Sequence, residues 1–444
     1  MFGPAVTILV QLINVPIMLR TWGPELFGEW LMLSAIPTYL LLSDLGFGSV
    51  AGSAMTMRVH AGDRDGARVI LHSSTAFVSV TTLAIAILTV TALFFLPVQR
   101  IFRLHAMGAH ESRMILLLLC LNALTVLQWS VIMAGYRATE RYATGMIYVN
   151  TIRVVEGAGV FLILFIHASP VALAGYMLSV TIVGTAWLAI AQNRFAPWLR
   201  VGVREAQWPT VRELLRPGMA FMAFPVCAAL LTQGITLVTG FALGPLAVAL
   251  FNPMRTLSRV PLQVTDAIKN SVWPELSAAF GRKDIALARR LHRGAFQASL
   301  LLATVLVITL WFVGPFLFHL WVHDRLVLAK GAFHLLLLVV FLNSLWSASS
   351  SVAMSINKHE SLSLYYLVFS VIALVLAWSL AKPFGLVGIT IGMLFADLGM
   401  SLVVLRISTQ ILEDPMSSFL LACVRPTELR ALLGKLRRRP AIIA

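Results

Sequence analysis

Charge is scarce in this 444-residue chain: Asp, Glu, Lys and Arg together make up 12% of it, against about a quarter in soluble domains. That deficit excludes a water-soluble enzyme. Acidic residues are the rarer sign, 19 against 34 basic ones, for a formal charge of +15. Only three cysteines occur, Cys120 and Cys227 in apolar runs and Cys423 near the end. No C-x-x-C pair is present, so neither a disulfide framework nor a thiolate metal site is indicated. The ten histidines are scattered without an H-E-x-x-H pair. The glycine-rich run GFGSVAG lacks the Gly-Lys-Ser/Thr of a phosphate loop. No cofactor or metal is expected.

What the chain does contain is apolar sequence: 59% hydrophobic residues and a mean hydropathy of +0.87. Runs of membrane length, divided by charged or Gly/Pro-rich breaks, fall at about 3 to 19, 26 to 47, 73 to 96, 114 to 135, 145 to 166 and 171 to 191. A second set follows at about 218 to 238, 246 to 266, 296 to 318, 332 to 355, 362 to 381 and 385 to 405. The first 19 residues carry no charge, no basic n-region and no small-residue cleavage pattern, and Arg20 follows directly, so they read as the first span rather than a leader. The expectation is an all-α polytopic protein of about twelve transmembrane helices.

The basic residues are unevenly placed. With the N-terminus inside, 24 of the 34 fall in inside loops or the C-terminal tail, seven fall outside, and Arg153, Arg255 and Arg259 lie within spans. This asymmetry predicts cytoplasmic termini and accounts for the net charge without a nucleic-acid partner.

The chain also repeats itself. Gly23-Pro24 recurs as Gly244-Pro245, Leu121-Asn122-x-Leu124 as Leu342-Asn343-x-Leu345, and Val131-x-Met133 as Val352-x-Met354, all 221 residues apart. Asp65-x-Ala67 returns as Asp284-x-Ala286 at 219, and Pro170-x-x-Leu173-x-Gly175 as Pro383-x-x-Leu386-x-Gly388 at 213. An offset of six spans predicts two lobes in the same orientation, related by an axis along the membrane normal. The expected organisation is an N-terminal lobe at 1–192, a basic linker at 193–217, a C-terminal lobe at 218–408 and a basic tail at 409–444. Two such bundles enclose a cleft, and rocking one against the other alternates access to a midplane site.

Ionisable groups within spans are the functional candidates, because each carries a desolvation cost of several kcal/mol. In the eighth span Asn252, Arg255, Arg259, Gln263 and Asp266 recur at spacings of 3, 4, 4 and 3, which on a continuous helix confines them to about 80° of arc. The two arginines either pack against Asp266 or hold an anionic ligand that balances their excess charge. In the fifth span Arg153 shares a face with Asn150 and Gly157, and Glu156 at i+3 is its alternative partner. Asp44, Asp266, Asp397 and Glu156 are the acids available for H⁺ or Na⁺ coupling; Asp44 and Asp397, single acids in apolar surroundings, are alternatively protonated in a dry interior.

The stretch WGPELFGEW, followed by DLGFGS and the charged AGDRDGAR loop, resembles the N-terminal signature of the polysaccharide-transporter (O-antigen flippase) family. The segment ALGPLAVALFNPMRTLSRVPLQVTDAIKNSVWPELSAAFGRKD is similar to that family's C-half signature. The family belongs to the superfamily that also holds the MATE multidrug exporters. The resemblance implies two six-helix lobes and a substrate of oligosaccharide joined through pyrophosphate to polyprenol. It implies flipping from the cytoplasmic to the periplasmic leaflet of a bacterial inner membrane for polysaccharide or lipopolysaccharide biosynthesis, beside other polysaccharide-assembly proteins. Relatives line the cavity with basic side chains, a pattern that Arg153, Arg255 and Arg259 fit, with Asn252 and Gln263 beside them. Relatives also usually carry a polar or basic segment before the first span, which this chain does not show.

Two rival readings follow. A MATE-type exporter of small cations would present carboxylates or aromatic faces, whereas the most polar stripe here is net positive. A membrane glycosyltransferase or ligase needs a sizeable outer loop, and the longest one expected runs only from 97 to 113.

Overall fold

The computed structural model describes residues 2–166, 169–323, 325–356 and 360–424. The polybasic segment beyond 424 and Lys358 lie outside the described residues. Among those described there is no strand, and the fold is all-α. In chain order the first helices are α1 (Phe2–Leu40), α2 (Phe47–His60), α3 (Arg64–Phe95), α4 (Val98–Ile101), α5 (Ala109–Ala138), α6 (Tyr142–Phe165), α7 (Pro170–Phe195), α8 (Trp208–Phe221), α9 (Ala223–Ala229) and α10 (Ile235–Leu243). The rest are α11 (Pro245–Ser258), α12 (Val260–Gly281), α13 (Ile285–Val322), α14 (Lys330–Ser355), α15 (Glu360–Ile411) and α16 (Met416–Val424).

Nine helical stretches among the described residues are long and apolar enough to cross a membrane. Leu362–Ile411 contains two of the spans expected from the sequence, and Leu12–His60 contains one, 26 to 47, with the latter part of another, 3 to 19. The span at 246 to 266 is divided between α11 and α12, neither of which qualifies alone. The twelve apolar runs are thereby accounted for.

Local chemistry sets the breaks. α1 is two helices meeting at Gly23 (φ 77, ψ 170), and α10 meets α11 at Gly244 with φ 89 and ψ 170. No atom crowds the position of a Cβ at either site, so the left-handed backbone itself calls for glycine there. The two Gly-Pro pairs of the repeat thus make the same turn. A second match corrects the register read from sequence. α2 ends in a left-handed Gly62 followed by Asp63, whose Oδ1 accepts from the Gly66 N–H at 2.8 Å. α12 ends likewise in a left-handed Lys283 followed by Asp284, whose Oδ1 accepts from the Leu287 N–H at 2.9 Å. The partner of Asp284 is therefore Asp63 at the shared offset of 221, not Asp65 at 219, because only Asp63 occupies the N-cap. The Gly66 N–H and Arg58 together hold the Asp63 carboxyl below the usual carboxylate range.

By packing, the chain divides into one unit of residues 1–249 with 321–325 and another of 250–320 with 326–444. In the first unit α5 lies at the centre, against α1, α2, α3, α6 and α7. Its core joins Phe47, Leu71, Leu127 and Leu199 on one side to Trp129, Tyr136, Val149 and Leu188 on the other. The basic linker after α7 is tied to this unit. His72 accepts from the Glu205 N–H and contacts the Arg200 carbonyl, each at 3.1 Å, while Arg68 pairs with Glu205 at 2.7 Å. In the second unit α14 is the buried element, packed on α12 and α15. The chain after α15 is not free up to Val424. Arg293 makes a two-pronged bond to the buried Asp414 at 2.6 and 2.8 Å, and His292 stacks on Phe419.

Candidate substrate site

The polar stripe of the eighth span does not lie on one continuous helix. Pro261 has no N–H to offer the Leu257 carbonyl, and α11 stops at Ser258, leaving Arg259 as the first residue before α12. Asn252 and Arg255 stand on α11, Gln263 and Asp266 on α12, and Arg259 at the joint. The calculated 80° arc therefore does not apply as drawn, although one backbone bond, from the Arg259 N–H to the Arg255 carbonyl at 3.2 Å, still links the two segments.

The two arginines differ in surroundings. Arg255 is half-buried, donates from Nη2 to Asn252 Oδ1 at 2.6 Å and lies over the Phe251 ring at 5.6 Å. Arg259 is exposed, has no carboxylate within 4.0 Å among the described residues, and sits within electrostatic reach of Arg255 and Asp397. Asp266 is held by neither. Its Oδ1 pairs with Lys269 at 3.1 Å and accepts from the Ser347 hydroxyl at 3.3 Å, and Lys269 donates to the same hydroxyl at 3.2 Å. Packing of the arginines on Asp266 is not how this region is built. Gln263 projects from the exposed face of α12.

Asp397 on α15 is buried, and one of its oxygens accepts from both Asn343 Nδ2 and Trp346 Nε1 of α14 at 2.8 Å. Sequence reasoning passed over Trp346 and saw Asn343 only as part of a repeat, although their i,i+3 spacing places them on one face of α14. Lys269 was likewise missed, despite lying three residues after Asp266.

The first unit holds the other candidates. Arg153 is exposed on α6; Glu156 is half-buried, and no ion pair within 4.0 Å joins them, only a longer-range attraction. The Oδ1 of Asn150 is buried with no partner among the described residues. Asp44 closes the short 3-10 turn Leu41–Asp44 after α1, its Oδ1 accepting from the Gly46 N–H at 3.0 Å. Overlooked altogether was Glu29, 1% exposed, whose carboxylate accepts from the N–H groups of His105, Ala106 and Met107 at 2.5 to 2.8 Å. The signal was available, since Glu29 is an in-span acid within WGPELFGEW. Among the described residues, no three His, Cys, Asp or Glu side chains gather as a metal site.

A family model described as "Polysaccharide biosynthesis protein" matches residues 2–280. The chain belongs to that family. No curated protein matches its sequence. Among solved structures, it is similar to an inward-facing multidrug resistance MATE family transporter of the MOP superfamily, with a TM-score of 0.75, 16% identity, and coverage of 95% of this chain and 96% of that one. An outward-facing MATE structure gives a TM-score of 0.64 at 18% identity over 97% and 94% of the two chains. A MOP superfamily transporter from Pyrococcus furiosus with a binding pocket of reverse polarity gives 0.65 at 16% over 97% and 94%. At these identities the likeness is one of fold: this polysaccharide biosynthesis family member is a multi-pass, MATE-like membrane protein.

Proposed function

We propose that the protein is a flippase that carries polyprenyl-pyrophosphate-linked oligosaccharide from the cytoplasmic to the periplasmic leaflet of a bacterial inner membrane by alternating access, with both termini cytoplasmic. It acts as a transporter and not as an enzyme. Its two lobes are the repeated halves 1–192 and 218–408. The observation that carries the reading is the pair Arg255 and Arg259, two guanidiniums within electrostatic reach of each other, the second exposed and, among the described residues, without a direct carboxylate partner. A cationic pair in an apolar segment is matched by a ligand of two negative phosphates, and guanidinium binds phosphate through paired hydrogen bonds. Arg153 is a further exposed guanidinium, in the N-terminal half, that suits an anionic ligand, and Asn252 fixes the Arg255 head. Of the acids, Asp397 is the best placed to couple an ion, with Glu156, Asp44 and Asp266 behind it.

The test is flipping of a fluorescent polyprenyl-pyrophosphate oligosaccharide in vesicles holding the purified protein. Translocation of that lipid, with no export of small organic cations, is the expected result. Cation export without lipid flipping would instead favour the MATE-type exporter that the fold neighbours represent.

A further inference from the structure

The exposed face of α12 continues beyond the arginines. Arg259, Gln263, Asp266, Asn270 and Trp273 recur at intervals of 4, 3, 4 and 3 residues, a single stripe on a helix that turns about 100° per residue. It is about 21 Å long at about 1.5 Å of rise per residue. Arg259, Gln263 and Asn270 are exposed, Asp266 is half-exposed, and Trp273 is 39% exposed. Among the described residues, the side-chain amides of Gln263 and Asn270 have no protein partner. The opposite face, with Thr265, Val272, Leu276 and Ala279, is buried.

A lipid-facing stripe would be aliphatic, and a packing stripe would be covered. This one offers planar amides, each with donors and an acceptor, then a carboxylate and then an open aromatic face. Sugar hydroxyls present donors and acceptors together, while the C–H face of a pyranose ring is apolar and lies flat on an indole. We propose that this stripe is the oligosaccharide subsite: the pyrophosphate sits at the Arg259 end and the glycan extends along α12 through Gln263, Asp266 and Asn270 to stack on Trp273. The proposal rests on the flippase reading given above. The competing role for Trp273 is an interfacial anchor, which has no dependence on sugar.

The experiment measures binding of farnesyl pyrophosphate and of its N-acetylglucosaminyl derivative to the full-length protein in lipid nanodiscs. Wild type binds the glycosylated compound more tightly. Trp273→Ala and Asn270→Ala weaken that compound about tenfold, the scale of one ring contact or hydrogen bond, and leave farnesyl pyrophosphate unchanged. Trp273→Phe, which keeps a ring, retains most of the affinity and guards against misfolding of the Ala variant. Arg259→Ala weakens both compounds. Equal wild-type affinity for the two compounds, or equal losses on both in Trp273→Ala, would overturn the sugar subsite and leave the pyrophosphate site standing. Failure of wild type to bind either compound would remove both.

Discussion

Replacing Arg259 by Ala separates transport from folding, because of where the side chain stands. The guanidinium is exposed and has no carboxylate within 4.0 Å among the described residues. It makes no capping bond to α12. The backbone bonds at the joint, Arg259 N–H to the Arg255 carbonyl at 3.2 Å and Leu262 N–H to the Arg259 carbonyl at 3.1 Å, survive the change. Asp397 loses a distant countercharge but keeps Asn343 and Trp346. The folding cost is therefore that of an ordinary surface substitution, about 0.5 kcal/mol or less. Loss of a charge-assisted bond to phosphate costs about 1.5 to 3 kcal/mol, which is roughly 10- to 150-fold in affinity. Arg259→Lys keeps the charge without the paired geometry and recovers part of this. Arg255→Ala is the less clean variant, since it also strips Asn252 Oδ1 of its 2.6 Å partner. The assay is flipping of lipid-linked oligosaccharide in vesicles, normalised to protein level and set beside a thermal melt. Wild-type flipping by Arg259→Ala protein of normal abundance would refute the anion-site argument.

Impermeant thiol reagents applied to intact cells should label cysteines placed near His105 and Lys330, and should spare those near Arg204 and Arg289; labelling at 204 or 289 would sink the twelve-span topology. Asp414→Ala leaves Arg293 without its two-pronged partner and should destabilise the protein by about 3 kcal/mol, read as a lower melting temperature; an unchanged melt would deny the docking of 412–424 a structural role. Glu29→Ala orphans three N–H groups at about 1 kcal/mol or more each, so amide exchange at 105–107 should rise ahead of the rest of the chain. Unaltered exchange there would mean that the loop is held by something else.

The helices were legible because apolar runs of span length are an unambiguous signal, and the Gly-Pro pairs were legible because a left-handed turn before proline leaves few residue choices. Legibility failed where a helix is apolar throughout yet interrupted. Nothing in 246 to 266 reads as two segments until Pro261 is asked where its missing hydrogen bond would have gone. Partnership was harder still. Spacing alone set Asp266 against the arginines at i+7 and i+11, whereas Lys269 at i+3 and Ser347 from a different helix take it. Glu29 stands out as an in-span acid, but its partners do not: they are backbone N–H groups some 76 residues away, and no side-chain pattern reports them.

The repeat supplies an internal control on whether the charged stripe is there for folding. At the 221-residue offset, Arg255 corresponds to Ser34, Arg259 to Thr38, Gln263 to Leu42 and Asp266 to Leu45. The first copy forms its helix after Gly23 and breaks it near the same point, at Leu41–Asp44, without any of those charges. The buried pair on α14 and α15 behaves alike. Asn343 has its counterpart in Asn122, whose Oδ1 is buried with no partner among the described residues, while Asp397 at the 213-residue offset corresponds to Gly184. The first half thus builds the corresponding helices with Ser34, Thr38, Leu45 and Gly184 at the positions of Arg255, Arg259, Asp266 and Asp397, so the shared architecture can be made without charge there. A group that costs several kcal/mol to place in a membrane segment, and that the duplicated half does without, is what the proposed ligand site would account for. Transplanting the first copy's chemistry tests this directly. Arg255→Ser with Arg259→Thr should insert, fold and melt near the wild-type temperature while losing lipid flipping. A double variant that fails to accumulate in the membrane would return both arginines to a structural role.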